Sequence, residues 1–251
     1  MHITQDDFLG GAIRLYQPTK GYRAGVDPVL LAATIPAQAG QSVLELGCGV
    51  GAVSLCLGRR VADLDLTGIE IQPDYADLAR QNAAHNRLPF QVFTADIQAL
   101  PDDIRARQFD HVCANPPYFD RAETTPAQDA GREIAMGLAT DLATWVQTAA
   151  KRLKPKGYAH FIFRAAGLGQ LLAAMPKSMG SVVVTPIVPR AGRDAVLVIV
   201  HARKNGRAAL RLESPIILHK GDHHDHFEDG YSDPIQAVLR DGAALTHWIK
   251  A

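Results

Sequence analysis

Cysteine is scarce in this 251-residue chain: Cys48, Cys56 and Cys113 are the three, and no two form a CxxC pair. That excludes a disulfide scaffold and suits a reducing compartment. Long hydrophobic runs are missing too. Stretches such as Ala195–Val200 stop far short of the roughly 20 apolar residues that a bilayer span requires. The opening residues, Met1 to Asp7, are neither basic nor followed by an apolar stretch, so no signal peptide is expected and a cytoplasmic location is predicted. Internal repeats, low-complexity tracts and long linkers are absent, and so is any excess of net charge. What is present, 47% hydrophobic and 21% charged residues, is a globular composition that excludes wholesale disorder. The length suits one domain, read as a segment 1–41, a core 42–205 and an extension 206–251.

The zero net charge conceals an uneven distribution. Residues 151–220 carry 13 Lys and Arg against Asp194 and Glu213 alone, a local charge of +11 that the rest of the chain balances. Such a segment can be a footprint for a phosphate backbone or simply a set of solvated faces.

Strand-like runs alternate with helical periods from residue 42 onward. Strands are predicted over Ser42–Leu46, Leu64–Ile71, Phe90–Ala95, Phe109–Ala114, Tyr158–Phe163, Ser181–Val188 and Ala195–His201, with a further one over Leu210–Leu218. Helices are predicted over Pro73–Arg87 and Asp141–Leu153, and Lys154-Pro155-Lys156-Gly157 reads as a turn. Strands separated by helices point to an α/β fold, a Rossmann-like and mostly parallel sheet with helices on both faces. Ligands of such sheets bind beyond the carboxyl ends of the strands, and the motifs below all fall at strand ends.

Glu45-Leu46-Gly47-Cys48-Gly49-Val50-Gly51 joins the first of these strands to a helix. Gly47, Gly49 and Gly51 allow a tight turn and close approach of a ligand. The spacing is GxGxG rather than GxGxxG, and Glu45 ahead of it would repel a pyrophosphate while suiting a cationic ligand. Glu70, at the end of the second strand, is placed to accept from two ribose hydroxyls, and Asp96, after the third, from an exocyclic amine. Ile71 and Ile97 beside these acids could sandwich a purine. A nucleoside with a positive tail and no phosphate fits this set, which predicts S-adenosylmethionine as cofactor.

Asn115-Pro116-Pro117-Tyr118 follows the fourth strand. Adjacent prolines remove two backbone donors and hold the chain extended, so carbonyls here can face a cavity. The Asn115 side-chain oxygen and the Pro116 carbonyl could accept both hydrogens of an amino group, leaving its lone pair to attack a methyl group. Tyr118 offers a face on which a base could stack, worth about 1–3 kcal/mol.

With these motifs in order, the sequence resembles the class I S-adenosylmethionine-dependent methyltransferases, in their NPPY amino-methylating branch, over roughly residues 15–205. The resemblance implies a seven-stranded sheet with a reversed last strand, and methyl transfer in line without a metal. Gln17-Pro18-Thr19-Lys20-Gly21-Tyr22-Arg23-Ala24-Gly25-Val26-Asp27 looks like the opening segment of the subgroup holding the bacterial tRNA adenine N6-methyltransferases of the valine tRNA anticodon loop. There it closes over the methionine end of the cofactor, which makes Tyr22 and Asp27 candidates for that contact. Asp27 can equally cap a helix with Pro28 at its first position.

The expected activity is therefore N6-methylation of adenine in RNA, most plainly tRNA. Two alternatives stand beside it: N5-methylation of a protein glutamine of the release-factor type, disfavoured by the 42 residues ahead of Val43, and a non-catalytic cofactor- and RNA-binding protein. DNA adenine methylases usually carry a target-recognition insertion and ribosomal guanine methylases a duplicated domain, neither of which is seen. Lys154, Lys156, Arg190, Arg193, Arg203, Lys204 and Arg207 are the candidate phosphate contacts. The polar stretch from Phe119 to Gly137 is either a substrate-facing lid or a surface loop. His219, His223, His224 and His226 with Asp222 and Asp225 imitate a metal cluster, but nothing there sets a ligand geometry, and no metal site is expected. Trp145 and Trp248 read as packing residues.

Overall fold

In the computed structural model, which describes residues 2–117, 141–221, 230–246 and 248, the chain opens with a hairpin the sequence reading does not foresee. Ile3–Phe8 (β1) and Ile13–Pro18 (β2) pair in antiparallel register. Ile13, Leu15 and Gln17 are buried while Arg14 is exposed, the period-2 alternation of a half-buried strand. The outer edge of β2 is met by the side chains of helix α3 (Pro73–Asn86). Asn82 Oδ1 accepts from the Tyr16 amide at 2.7 Å and Asn82 Nδ2 donates to the Tyr16 carbonyl at 3.1 Å. Asn86, one helical turn on, repeats the pattern at Arg14 with bonds of 2.9 and 2.7 Å. Two asparagines four apart thus stand in for a neighbouring strand. Asn82 also donates to the Val50 carbonyl at 3.0 Å, tying the hairpin to the glycine-rich turn. Asn82→Ala leaves three backbone groups of this seam without partners, and a loss of about 2–4 kcal/mol is expected in denaturant unfolding.

Behind the hairpin come α1 (Val26–Thr34), β3 (Ser42–Leu46), α2 (Ala52–Arg60), β4 (Asp65–Glu70), α3, β5 (Phe90–Thr94), α4 (Asp102–Ala106) and β6 (Phe109–Ala114). The remainder supplies α5 (Leu142–Arg152), β7 (Leu153–Arg164), α6 (Leu168–Ala173), β8 (Met179–Val188), β9 (Leu197–Lys204), β10 (Arg211–Leu212), β11 (Ile216–Ile217) and α7 (Asp233–Asp241). The main sheet has the order β10-β8-β9-β7-β6-β3-β4-β5, with β11 also beside β8. Every pairing is parallel except the two made by β9, which runs against β7 and β8. The seven expected strands are all present; the run Leu210–Leu218 breaks into β10 and β11 around Ser214-Pro215, a proline that cannot donate to a ladder. One core joins the sheet to α1, α2, α3, α7 and the hairpin, and the other joins it to α4, α5 and α6.

Two further departures are local. Lys154-Pro155-Lys156-Gly157 lies inside β7 instead of turning the chain. It forms a bulge there, with Lys156 at φ +67° and the register against β6 shifting between Phe109 and His111. Asp27 is the second residue of α1, whose N-cap is Gly25, so the acid complements the helix dipole from inside the first turn.

The sheet also buries a line of histidines. His111 Nδ1 lies 3.0 Å from His160 Nε2, and His160 Nδ1 lies 2.8 Å from His201 Nδ1, on β6, β7 and β9. Burial holds His111 down to about 4 and His160 far below its usual value, so both are neutral core residues at physiological pH. Trp248 stacks on His201 at 3.9 Å and donates to the Thr34 carbonyl at 2.9 Å, the packing role expected of it.

Candidate active site

The chain leaves β3 for β4 on one side and returns to β6 on the other, so the strand order reverses between β3 and β6. A crevice therefore opens beyond their carboxyl ends. The glycine turn, Glu70, Asp96 and Asn115 all lie along this edge, as the positions of the motifs predict.

The turn after β3 is left-handed three times, at Gly47 (φ +62°), Gly49 (φ +54°) and Gly51 (φ +88°). Gly51 is the N-cap of α2. A Cβ at Gly47 would lie 2.5 Å from the Trp145 ring of α5, so Trp145 packs directly under the turn. A Cβ at Gly49 would meet the Tyr22 ring at 3.6 Å on the other side.

Glu45 is buried, and its Oε2 accepts from the Ser54 amide at 3.0 Å and from the Ser54 hydroxyl. It therefore holds the first turn of α2, a role invisible in the sequence because Ser54 is nine residues away. Burial lifts the carboxyl to about 8, against the pull of the Ser54 bonds and with a small push from Glu70. Glu70 is buried as well, and that raises its pKa too. Its Oε2 accepts from the Gly49 amide at 2.8 Å and its Oε1 from the Gln72 amide at 2.9 Å. Each carboxylate oxygen has two acceptor positions, so these bonds orient the group without exhausting it. Asp96, half-buried after β5, accepts from the Gln98 amide at 2.8 Å. Of the two isoleucines expected to flank a purine, Ile71 is exposed at the rim, whereas Ile97 is buried in the core facing α5.

Tyr22, 41% exposed, spans the crevice. Its carbonyl accepts from the Tyr75 hydroxyl at 3.1 Å, and its own hydroxyl accepts from Asn115 Nδ2 at 3.4 Å. Desolvation of the hydroxyl, with Asp27 and Glu45 nearby, keeps the phenol protonated. One side chain thus touches the glycine turn and the start of the Asn-Pro-Pro segment. Pro116 is buried and Pro117 half-buried. Tyr118, the stretch from Phe119 to Gly137, and the tract from Asp222 to His226 lie outside the described residues.

The seven candidate phosphate contacts are not brought together. Only Arg190 and Arg193 lie on the edge of the crevice, after β8, and Arg190 is buried against the carbonyls of Lys220 and Gly221. Lys154, Lys156, Arg203, Lys204 and Arg207 fall at the opposite edge. The reason is topological: β7 begins there, and the antiparallel β9 carries its carboxyl end there. Among the described residues no group of three or more His, Cys, Asp or Glu could hold a metal, and no helix is long and apolar enough to cross a membrane.

An open parallel sheet with one reversed strand, a glycine turn at its switch point and acids on successive strand ends define a Rossmann-like methyltransferase. The methyltransferase small domain model matches residues 24–182, and the chain belongs to that family. A curated relative from Aeromonas hydrophila, named tRNA1(Val) (adenine(37)-N6)-methyltransferase, is 27% identical over 205 residues, 80% of this chain and 84% of its own. A protein of the same name from Yersinia enterocolitica is 31% identical over 116 residues, a match that spans less than half of either chain, 45% of each. Among solved structures, one titled as a predicted O-methyltransferase from Agrobacterium tumefaciens superposes with a TM-score of 0.69 at 26% identity, over 87% of this chain and 97% of that one.

Proposed function

We propose that the protein transfers the methyl group of S-adenosylmethionine to the N6 amino group of an adenine in tRNA. The observation that carries this reading is Asn115-Pro116-Pro117 at the end of β6, beside the glycine turn and held through Asn115 by Tyr22. The residues present fit the cofactor: a turn without side chains at Gly47 and Gly49, two oriented carboxylates at Glu70 and Asp96, and the exposed face of Ile71. In this reading Glu70 takes the ribose hydroxyls, Asp96 the adenine amine, Ile71 the purine, and Tyr22 and Asp27 the charged methionine end, while Glu45 holds the first turn of α2 beneath the site. When bound, the cofactor supplies an electrophilic methyl group on a cationic sulfur.

The chain's task is then to make an aromatic amine nucleophilic. Its nitrogen lone pair is delocalised into the ring, and two acceptors on its hydrogens hold the amine turned toward the methyl group. With Asn115 Nδ2 directed at Tyr22, Oδ1 is the end of the amide left to accept. The Pro116 carbonyl is the second acceptor. A hydroxyl offers one hydrogen to such a pair and an amino group two, which favours nitrogen over oxygen as the methyl acceptor. Tyr118 provides the stacking face for the base. A loop base suits the site, since bases already unpaired are extruded at low cost.

The test is transfer of labelled methyl to unmodified tRNA, ribosomal RNA and a protein extract. Label in tRNA that digests to N6-methyladenosine is expected. Label confined to protein would transfer the reading to glutamine.

A further inference from the structure

The edge of the sheet opposite the crevice is crowded with cations. β6, six residues long, separates the two edges by roughly 20 Å. Lys151, Lys156, Lys177, Arg203, Lys204 and Arg207 gather at the far edge, around the start of β7, the start of β8 and the end of β9. Backbone contacts join them into one surface. Lys204 donates to the Leu153 carbonyl at 2.7 Å, next to Arg152. Arg203 donates to the Lys156 carbonyl at 3.3 Å and lies over the Tyr158 ring at 5.5 Å. The Asn205 amide donates to the Ser178 carbonyl at 2.7 Å, which brings Lys177 alongside.

Acids do not relieve this crowding. Among the described residues the ion pairs nearby are Lys154 with Asp110, Arg105 with Asp102 and Arg107 with Asp65, and no acid pairs with the six cations named or with Arg152. Arg152 is fixed by the carbonyls of Ile104, Arg105 and Arg107. Desolvation, and then the charge of Arg105, lowers the pKa of Arg152; desolvation, and then the charge of Arg152, lowers that of Lys204. Cations held in place against one another by backbone carbonyls are organised for an anion that comes from outside. Repeated phosphates spaced along a backbone match an array of this breadth better than a single small anion does.

We infer that this far edge is a second nucleic-acid docking surface, gripping the backbone of the same tRNA at a distance from the base in the crevice. It rests on the reading of the protein as a tRNA methyltransferase. The RNA contact then has two parts. The crevice takes a loop base, and the far edge takes the tRNA body, adding affinity without reading sequence.

The test compares wild type with a triple variant, Lys156→Glu, Lys177→Glu and Arg207→Glu, at three exposed positions. Two substrates are used: a full-length unmodified valine tRNA transcript and its isolated anticodon stem-loop. The triple variant is expected to bind full-length tRNA at least about tenfold more weakly, with the slope of log K against log salt reduced by about two or more. Methylation of the stem-loop should stay within about twofold of wild type, and the thermal midpoint should not move. Unchanged binding of full-length tRNA overturns the inference. So does an equal loss on the stem-loop, which would place these charges at the base site. If wild type methylates neither RNA, the tRNA reading itself fails and the inference falls with it.

Discussion

Asn115→Ala is expected to cut methyl transfer to tRNA by about 10²–10³ in kcat while S-adenosylmethionine binding, read by calorimetry, stays within about threefold. The side chain lies just past the end of β6, beside the strand that carries the glycine turn, and it bonds Tyr22 across the crevice. Its removal therefore subtracts an acceptor from the amine and little from the nucleoside pocket. Asn115→Asp separates the two ends of the amide. It keeps an acceptor oxygen but replaces the donor to Tyr22 with a second oxygen, and the phenol hydroxyl can turn to donate instead. It should recover part of the lost rate. Tyr22→Phe removes the same orienting bond from the other side. Equal turnover in Asn115→Ala and wild type would take the acceptor role away from this segment.

Gly47→Ala is expected to destabilise the fold by about 2–5 kcal/mol, seen as a fall of roughly 5–15 °C in the thermal midpoint. Two physical terms contribute. The residue sits at φ +62°, where a Cβ meets its own carbonyl, and that Cβ would also lie 2.5 Å from the Trp145 ring. Trp145 is buried between α5 and the sheet and cannot retreat without moving the helix. The terms separate in a double-mutant cycle with Trp145→Leu. Gly47→Ala should cost about 1–3 kcal/mol less in the leucine background, because the overlap is gone while the dihedral strain remains. A cost that is the same in both backgrounds would show that Trp145 does not press on the turn.

Much of this protein is decided by sequence-local physics. A short strand with Val43, Leu44 and Leu46 at its heart, followed by glycines at alternate positions, admits few backbone paths, so β3 and its turn are legible without coordinates. Pro116 and Pro117 end β6 wherever the chain goes next. Acids at the ends of successive strands reach a common edge, because parallel strands bring all their carboxyl ends to one side. The fold class, and the common edge on which the proposed cofactor residues lie, follow from these features.

The tertiary structure decided whatever depends on partners distant in the chain. The hairpin of β1 and β2 exists because Asn82 and Asn86 satisfy its edge from 66 and 72 residues away. No local pattern announces that. Glu45 reads as a counter-charge until Ser54 is seen beneath it. Above all, summing charge over residues 151–220 treats neighbours in sequence as neighbours in space. The antiparallel course of β9 separates them, sending Arg193 to the crevice and Arg203, Lys204 and Arg207 to the opposite edge. Strand direction is set by hydrogen bonding between segments, and a one-dimensional tally of charge contains no information about it.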